Sequence, residues 1–228
     1  MFAEIYGSLE GCCKGYGGSM HMFDKSVGFM GTTPILGSIV PIAAGSAFEQ
    51  QVMGSKSITV CFFGDGASEE GVVYESLNLA AVKKLPVLFI CEDNLWAVNT
   101  PHKDRRSSLF SRRMLCDSLS VRYLDADGGN FEHVYSQTKM LVSRLRNSHG
   151  PAMLHVCTYR EMAHSAPIFD ESVRHLQMDT KEARAADDPI DNIEKCITSD
   201  AMKTDIRDDV QTLVLREFAL AKQIGVTQ

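Results

Sequence analysis

One stretch governs what this chain can fold into. Ile58-Thr-Val-Cys-Phe-Phe63 is a short apolar, β-branched run that stops at Gly64-Asp65-Gly66, the pattern of a buried strand ending in a tight turn. Glu69 to Lys84 follows with Val73, Leu77, Ala80 and Ala81 at helical spacing, acids in its first turn and lysines in its last, as the helix dipole prefers. Pro86 then opens a second apolar strand, Val87 to Cys91. Strand, helix and strand in so short a compass are most simply a parallel pair joined by a right-handed crossover. The fold class is therefore α/β, a mostly parallel sheet flanked by helices.

The rest of the chain extends that unit. Ile35 to Gln50 has small and apolar residues all round, with Pro41 near its first turn, which suits a buried helix. Val121 to Leu124 and Ala152 to Thr158 predict two more strands around a helix from Phe131 to Arg146. Met1 to Phe29 is glycine-rich and reads as loop with one short helix, and a helical, charged tail begins at about residue 172. With no repeat or linker, residues 1–228 are expected to form a single domain.

Composition narrows the class of function. Apolar residues make up 44% and charged residues 23% of the 228, which excludes a disordered or collagen-like chain. A net charge of −6 argues against a nucleic-acid partner, so Lys103, Arg105, Arg106, Arg112 and Arg113 read as a solvated or mobile loop. No apolar run approaches the ~18 residues that a membrane span needs. Seven cysteines with no CxxC pair, and no charged-then-apolar leader, predict a reducing, cytoplasmic setting without disulfides.

Asp65 falls just past the end of one predicted strand and Asn94 just past the end of the next, so their side chains should converge. Ligands of open parallel sheets sit beyond the strand carboxyl ends, where the amides of Gly66 and Ala67 would face an anion. A carboxylate, an amide oxygen and backbone amides suit a phosphate held through a hard cation, and magnesium fits such a donor set best. Taken alone, Gly-Asp-Gly is a turn with Asp65 as a helix cap. The partner motif at Asn94 reverses that reading.

The run from Gly64 to Asn94, GDGASEEGVVYESLNLAAVKKLPVLFICEDN, resembles the thiamine-diphosphate motif that opens with GDG and closes about 30 residues later with an asparagine pair. With GGSMHMFD (Gly17 to Asp24), ILGSIVPIAAG (Ile35 to Gly45) and TYREMAHS (Thr158 to Ser165), the chain resembles the alpha subunit of thiamine-diphosphate-dependent 2-oxo acid dehydrogenases of the pyruvate and acetoin branches. The resemblance implies a thiamine-diphosphate-binding fold, with thiamine diphosphate and Mg2+ as cofactors. It makes Asp65, the Asn94 side-chain oxygen and the Trp96 carbonyl the magnesium ligands. Gly66 and Ala67 would hold the diphosphate through backbone amides, aided by the Arg160 guanidinium. Pro34 and Leu36 would lie against the cofactor rings. His164 would work at the reactive end as the catalytic proton donor or stabiliser, with His21 at the entrance.

The same resemblance implies a beta subunit that supplies the activating glutamate in an alpha2beta2 assembly, and a lipoyl-bearing acyltransferase or carrier domain as acyl acceptor. The substrate would be a 2-oxo acid or acetoin. Ser107, Ser108 and Ser165 sit where relatives carry phosphorylation loops and are read as unmodified. The chain departs from the pattern in having Asp93 as the first member of the closing pair, Pro34 and Ala163 at common glycine positions, and Ile168 where an acid often stands, with Asp170 nearby. It also starts near the Gly-Ser-Met-His motif, without the amino-terminal helical segment of relatives. Two other readings stand beside this one: the amino-terminal half of a split transketolase acting on a ketose, and a structural partner without turnover.

Overall fold

The computed structural model describes residues 1–147, 150–160, 162–165, 167–168 and 188–225. Its strands are β1 Thr59–Gly64, β2 Val87–Asp93, β3 Trp96–Ala97, β4 Thr100–Pro101, β5 Arg122–Asp127 and β6 Ala152–Cys157. Its helices are α1 Phe2–Ile5, α2 Ile39–Val52, α3 Gly71–Lys83, α4 His102–Arg105, α5 Arg112–Ser118, α6 Phe131–Arg146, α7 Pro189–Glu194 and α8 Asp200–Gly225. The chain divides into two compact units, Leu36–Ile193 and a second made of Met1–Ile35 with Glu194–Gln228.

In the larger unit β1, β2, β6 and β5 form one sheet in that order, every pair parallel. The last strand in sequence, β6, therefore lies inside the sheet between β2 and β5. The α/β expectation holds, and helices cover both faces. On one side α2 and α3 bury Val40, Ala43, Ala44, Ala47, Val73, Leu77 and Ala80 against Cys61, Phe63, Phe89 and Cys91. On the other, Leu141 and Leu145 of α6 pack on Leu88, Ile90, Leu154 and Val156. Because β2 is covered on both faces, it reads as a nearly continuous apolar run.

Local chemistry explains where the elements stop. The helix predicted from Ile35 begins only at Ile39, because Gly37 takes a left-handed φ of +79° and a Cβ there would stand 2.8 Å from Glu70 Cβ. Pro41 sits inside the first turn, where its missing N–H costs nothing. The stretch from Glu69 is likewise split: Ala67–Glu69 is a 3-10 turn, Glu70 is extended, and α3 runs from Gly71 until Lys84 turns left-handed at φ 53°. The helix from Phe131 to Arg146 is as predicted, capped by Asn130 accepting from the His133 amide at 3.0 Å.

In the smaller unit Phe2 and Tyr6 meet Phe218 of α8 edge to face, with centroids 5.0 and 5.6 Å apart. Glu4 is fully buried and accepts from the amides of Cys13, Gly15 and Gly17 at 2.7, 3.0 and 2.6 Å. One carboxylate thus satisfies three amides of the glycine-rich loop. The predicted start of the charged tail near 172 lies outside the described residues; beyond it the described chain forms two helices, Pro189–Glu194 and Asp200–Gly225. Among the described residues no helix is long and apolar enough to cross a membrane.

Candidate functional site

All strands of the main sheet run the same way, so their carboxyl ends share one edge. There β1 delivers Asp65 and β2 delivers Asp93, and both are buried, at 2% and 3% exposure. The next chain segment, a two-stranded β3–β4 hairpin followed by α4, folds back over them. It brings His102 Nε2 to 3.0 Å from Asp65 Oδ2 and 3.0 Å from Asp93 Oδ1. One oxygen or nitrogen from each of Asp65, Asp93 and His102 lies within 4.8 Å of the others, close enough to share a metal ion. His102 Nδ1 lies 3.4 Å from Arg106 Nη1, which assigns the proton to Nε2 and lets that nitrogen donate to both carboxylates.

Three guanidinium groups balance the carboxylates. Arg105 Nη2 donates to Asp65 Oδ2 at 2.5 Å, its Nη1 to Glu69 Oε1 at 2.6 Å and its Nε to the Thr100 carbonyl at 3.0 Å. Arg106 pairs with Glu69 and donates to the Asp65 carbonyl at 3.0 Å, with its guanidinium 5.3 Å from the centre of the Phe110 ring. Arg112 pairs with Asp93 and reaches Ser68 Oγ at 3.1 Å. His155 of β6 spans Asp93 at 2.9 Å and Asp125 at 3.1 Å. Burial alone would raise the Asp93 carboxyl, but the His155 hydrogen bond, Arg112 and the Leu95 amide together hold it far below the usual carboxylate range. Burial pushes His102 below its ordinary value, and the Asp93 charge only partly opposes that.

The basic cluster thus departs from its sequence reading. Arg105, Arg106 and Arg112 are not solvated: their side chains are only 11%, 8% and 7% exposed. Lys103, which is exposed, and Arg113, half-exposed against Asp125, behave as expected. The signal that could have found them was charge balance, since two carboxylates at buried strand ends require cations and the segment after β2 carries the nearest ones.

Nearly all the residues singled out in the sequence fall among the described ones. Gly66 opens the 3-10 turn after Asp65, and a Cβ there would stand 2.7 Å from Ala97 Cβ, so only glycine fits under the hairpin. The amides of Gly66 and Ala67 donate to nothing among the described residues, although Ala67 is buried. Two such unspent donors beside Asp65 fit a diphosphate, and the hard oxygen donors fit a divalent cation. Asn94 directly follows β2, with its Oδ1 accepting from the Trp96 amide at 3.0 Å, and Trp96 begins the hairpin. Arg160 Nη2 donates to the Val98 carbonyl at 2.8 Å, at the tip of that hairpin. His164 is exposed, in a loop closed by Ala163 N–H donating to the Ile168 carbonyl at 2.8 Å. Leu36 is largely exposed at the start of the larger unit, whereas Pro34 and His21 are exposed in the smaller unit. Asp170 lies outside the described residues.

Residues 1–223 match a family model described as "Dehydrogenase E1 component". The chain belongs to the dehydrogenase E1 component family. The E1 relatives include the alpha subunit of acetoin:2,6-dichlorophenolindophenol oxidoreductase from Bacillus subtilis, 38% identical over 190 residues, covering 78% of this chain and 55% of that protein. The pyruvate dehydrogenase E1 component subunit alpha of Porphyra purpurea is 35% identical over 222 residues, 94% of this chain and 63% of its own length. That of Rickettsia typhi is 39% identical over 167 residues, 72% and 50% respectively. The chain therefore spans about half to two thirds of the E1 relatives it matches. The family match agrees with the E1 alpha-subunit resemblance seen in the sequence.

Proposed function

We propose that this chain is the thiamine-diphosphate- and Mg2+-binding alpha subunit of a cytoplasmic 2-oxo acid or acetoin dehydrogenase. The observation that carries this reading is the pair of unspent amides at Gly66 and Ala67 beside the buried Asp65, at the carboxyl edge of a parallel sheet. Asp65, the Asn94 side chain and the Trp96 carbonyl would hold the magnesium ion. The Gly66 and Ala67 amides, with Arg160, would take the diphosphate. When bound, thiamine diphosphate supplies a nucleophilic carbon and an electron sink for the substrate carbonyl.

The remaining roles belong to the chain's own groups. Pro34 and Leu36 present exposed apolar surface for ring contact, and Leu36 directly precedes the Gly37 bend that fixes the start of α2. His164 would hold or move a proton at an imidazole nitrogen. The names of the relatives point to pyruvate or acetoin as substrate, and their designation as alpha subunits points to a beta partner. That partner would contribute the activating glutamate, and a lipoyl domain would receive the acyl unit.

The test is calorimetric titration of thiamine diphosphate in Mg2+ into the parent chain, Asp65→Ala and His164→Ala. Asp65→Ala should abolish Mg2+-dependent binding with circular dichroism unchanged. His164→Ala should bind as the parent does and slow turnover in the reconstituted complex. Unchanged affinity in Asp65→Ala overturns the site assignment.

A further inference from the structure

Asp65 and Glu69 already have cationic partners supplied by the chain itself. Arg105 Nη2 sits 2.5 Å from Asp65 Oδ2 and its Nη1 2.6 Å from Glu69 Oε1. Its side chain is 11% exposed, which puts the guanidinium inside the site. Three carboxylates (Asp65, Glu69, Asp93) face three guanidinium groups (Arg105, Arg106, Arg112), so the cluster is neutral as it stands. A divalent cation entering it would add two positive charges beside Arg105, and like charges this close repel strongly. Arg105 and His102 both hold Asp65 Oδ2, so a cation using that carboxylate meets a guanidinium already paired with it.

We propose that Arg105 is an exchangeable internal counter-ion: it pairs with Asp65 in the free chain, competes with the divalent cation for that carboxylate, and is released when the cation binds. This rests on the reading of Asp65 as a metal ligand. The residue is suited to the exchange because it sits at the end of α4, a single turn followed by extended backbone at Arg106. Arg106 is anchored differently, donating to the Asp65 carbonyl and stacking over Phe110, and Arg112 is held by Asp93 and Ser68. Arg105 makes the shortest contact to Asp65 Oδ2, 2.5 Å against 3.0 Å for His102 Nε2, and is otherwise held by Glu69 and the Thr100 carbonyl. Arg105 Nη1 lies 4.0 Å from where a Cβ on Gly66 would stand, so a released fork would be near the two unspent amides and would match a phosphate. The pairing lowers the apparent cation affinity by the fraction of chains in which Asp65 is free.

The test uses Mn2+ as probe on the full chain without diphosphate, with free Mn2+ read by electron paramagnetic resonance. Arg105→Gln should bind Mn2+ about tenfold more tightly than the parent, the effect of removing one charged competitor. Arg105→Lys, which keeps the charge but loses the fork, should fall between them and covers the case in which Arg105→Gln fails to fold. Thermal melting gives an independent readout: without metal, Arg105→Gln should melt below the parent, and Mn2+ should raise it by more than it raises the parent. Unchanged or weaker Mn2+ binding in both Arg105 variants overturns the proposal. Asp65→Asn separates the two ideas: if it abolishes Mn2+ binding in the parent while the Arg105 variants show no gain, the metal site stands and the counter-ion does not. If Asp65→Asn leaves Mn2+ binding intact, both fall.

Discussion

Asp93 joins two kinds of chemistry at one carboxylate. It closes β2 and helps line the candidate site, yet its partners Arg112 and His155 belong to α5 and β6, so it also ties the edge of the sheet together. Replacing it with asparagine, the commoner residue of the resembled motif, should not be benign here. Asp93→Asn leaves the Arg112 charge buried without its counter-charge, which should cost about 3 kcal/mol, read as a lower urea midpoint at constant m-value. Acid should do the same work. The Asp93 carboxyl is held far below the ordinary range and His102 below its own, so the unfolded chain binds more protons than the folded one as pH falls. Stability should therefore be full near pH 7, decline below about 6.5 as the unfolded histidine protonates, and fall steeply below about 4. Urea melts at pH 7, 5.5 and 4 check this order. In Asp93→Asn the drop below about 4 should shrink. Asp65 and Asn94 could be placed at the strand ends from sequence because turn glycines and apolar runs mark those ends. Sequence reading missed Arg105, Arg106 and Arg112, because nothing local distinguishes an arginine that folds under a hairpin from one in water.

At the scale of elements, the same contrast between local and tertiary information recurs. The helix from Phe131 to Arg146 could be read to the residue, because its cap and its apolar stripe are local. The β3–β4 hairpin and α4 could not: their strands are two residues long, and they persist through ion pairs to Asp65 and Glu69 rather than through propensity. The small residues of α2 and α3 have the opposite origin. Ala80 is fully buried in the layer that also holds Ala44, Ala47 and Leu85, so its size sets the distance between helix and sheet. Ala80→Leu should overpack this layer and cost about 1–3 kcal/mol. Calorimetric melting measures that, and Ala81→Leu, at a half-buried position, should cost less.

For the whole molecule, cysteine accessibility offers a test of the sheet face covered by α2 and α3. Cys61, Cys91 and Cys116 are buried, and burial pushes their thiols up to about 12. Cys12, Cys13, Cys157 and Cys196 are partly or fully exposed. A thiol reagent at pH 8 should modify at most those four in the native chain, with the other three reacting only at the rate of global unfolding. Mass spectrometry of quenched samples distinguishes the classes. Labelling of Cys91 in the native state would mean that β2 is not enclosed.

The position of β6 carries a consequence for synthesis. A chain emerging from the ribosome presents β1, β2 and β5 well before Ala152–Cys157, yet β2 and β5 have no contact along their edges until β6 inserts between them. Until about residue 157 has cleared the exit tunnel, the edge of the apolar β2 and that of the more polar β5 stay open to pairing with other chains. The nascent protein therefore passes through an interval of aggregation risk that ends in one cooperative closure, and any pause in translation before Ala152 prolongs it.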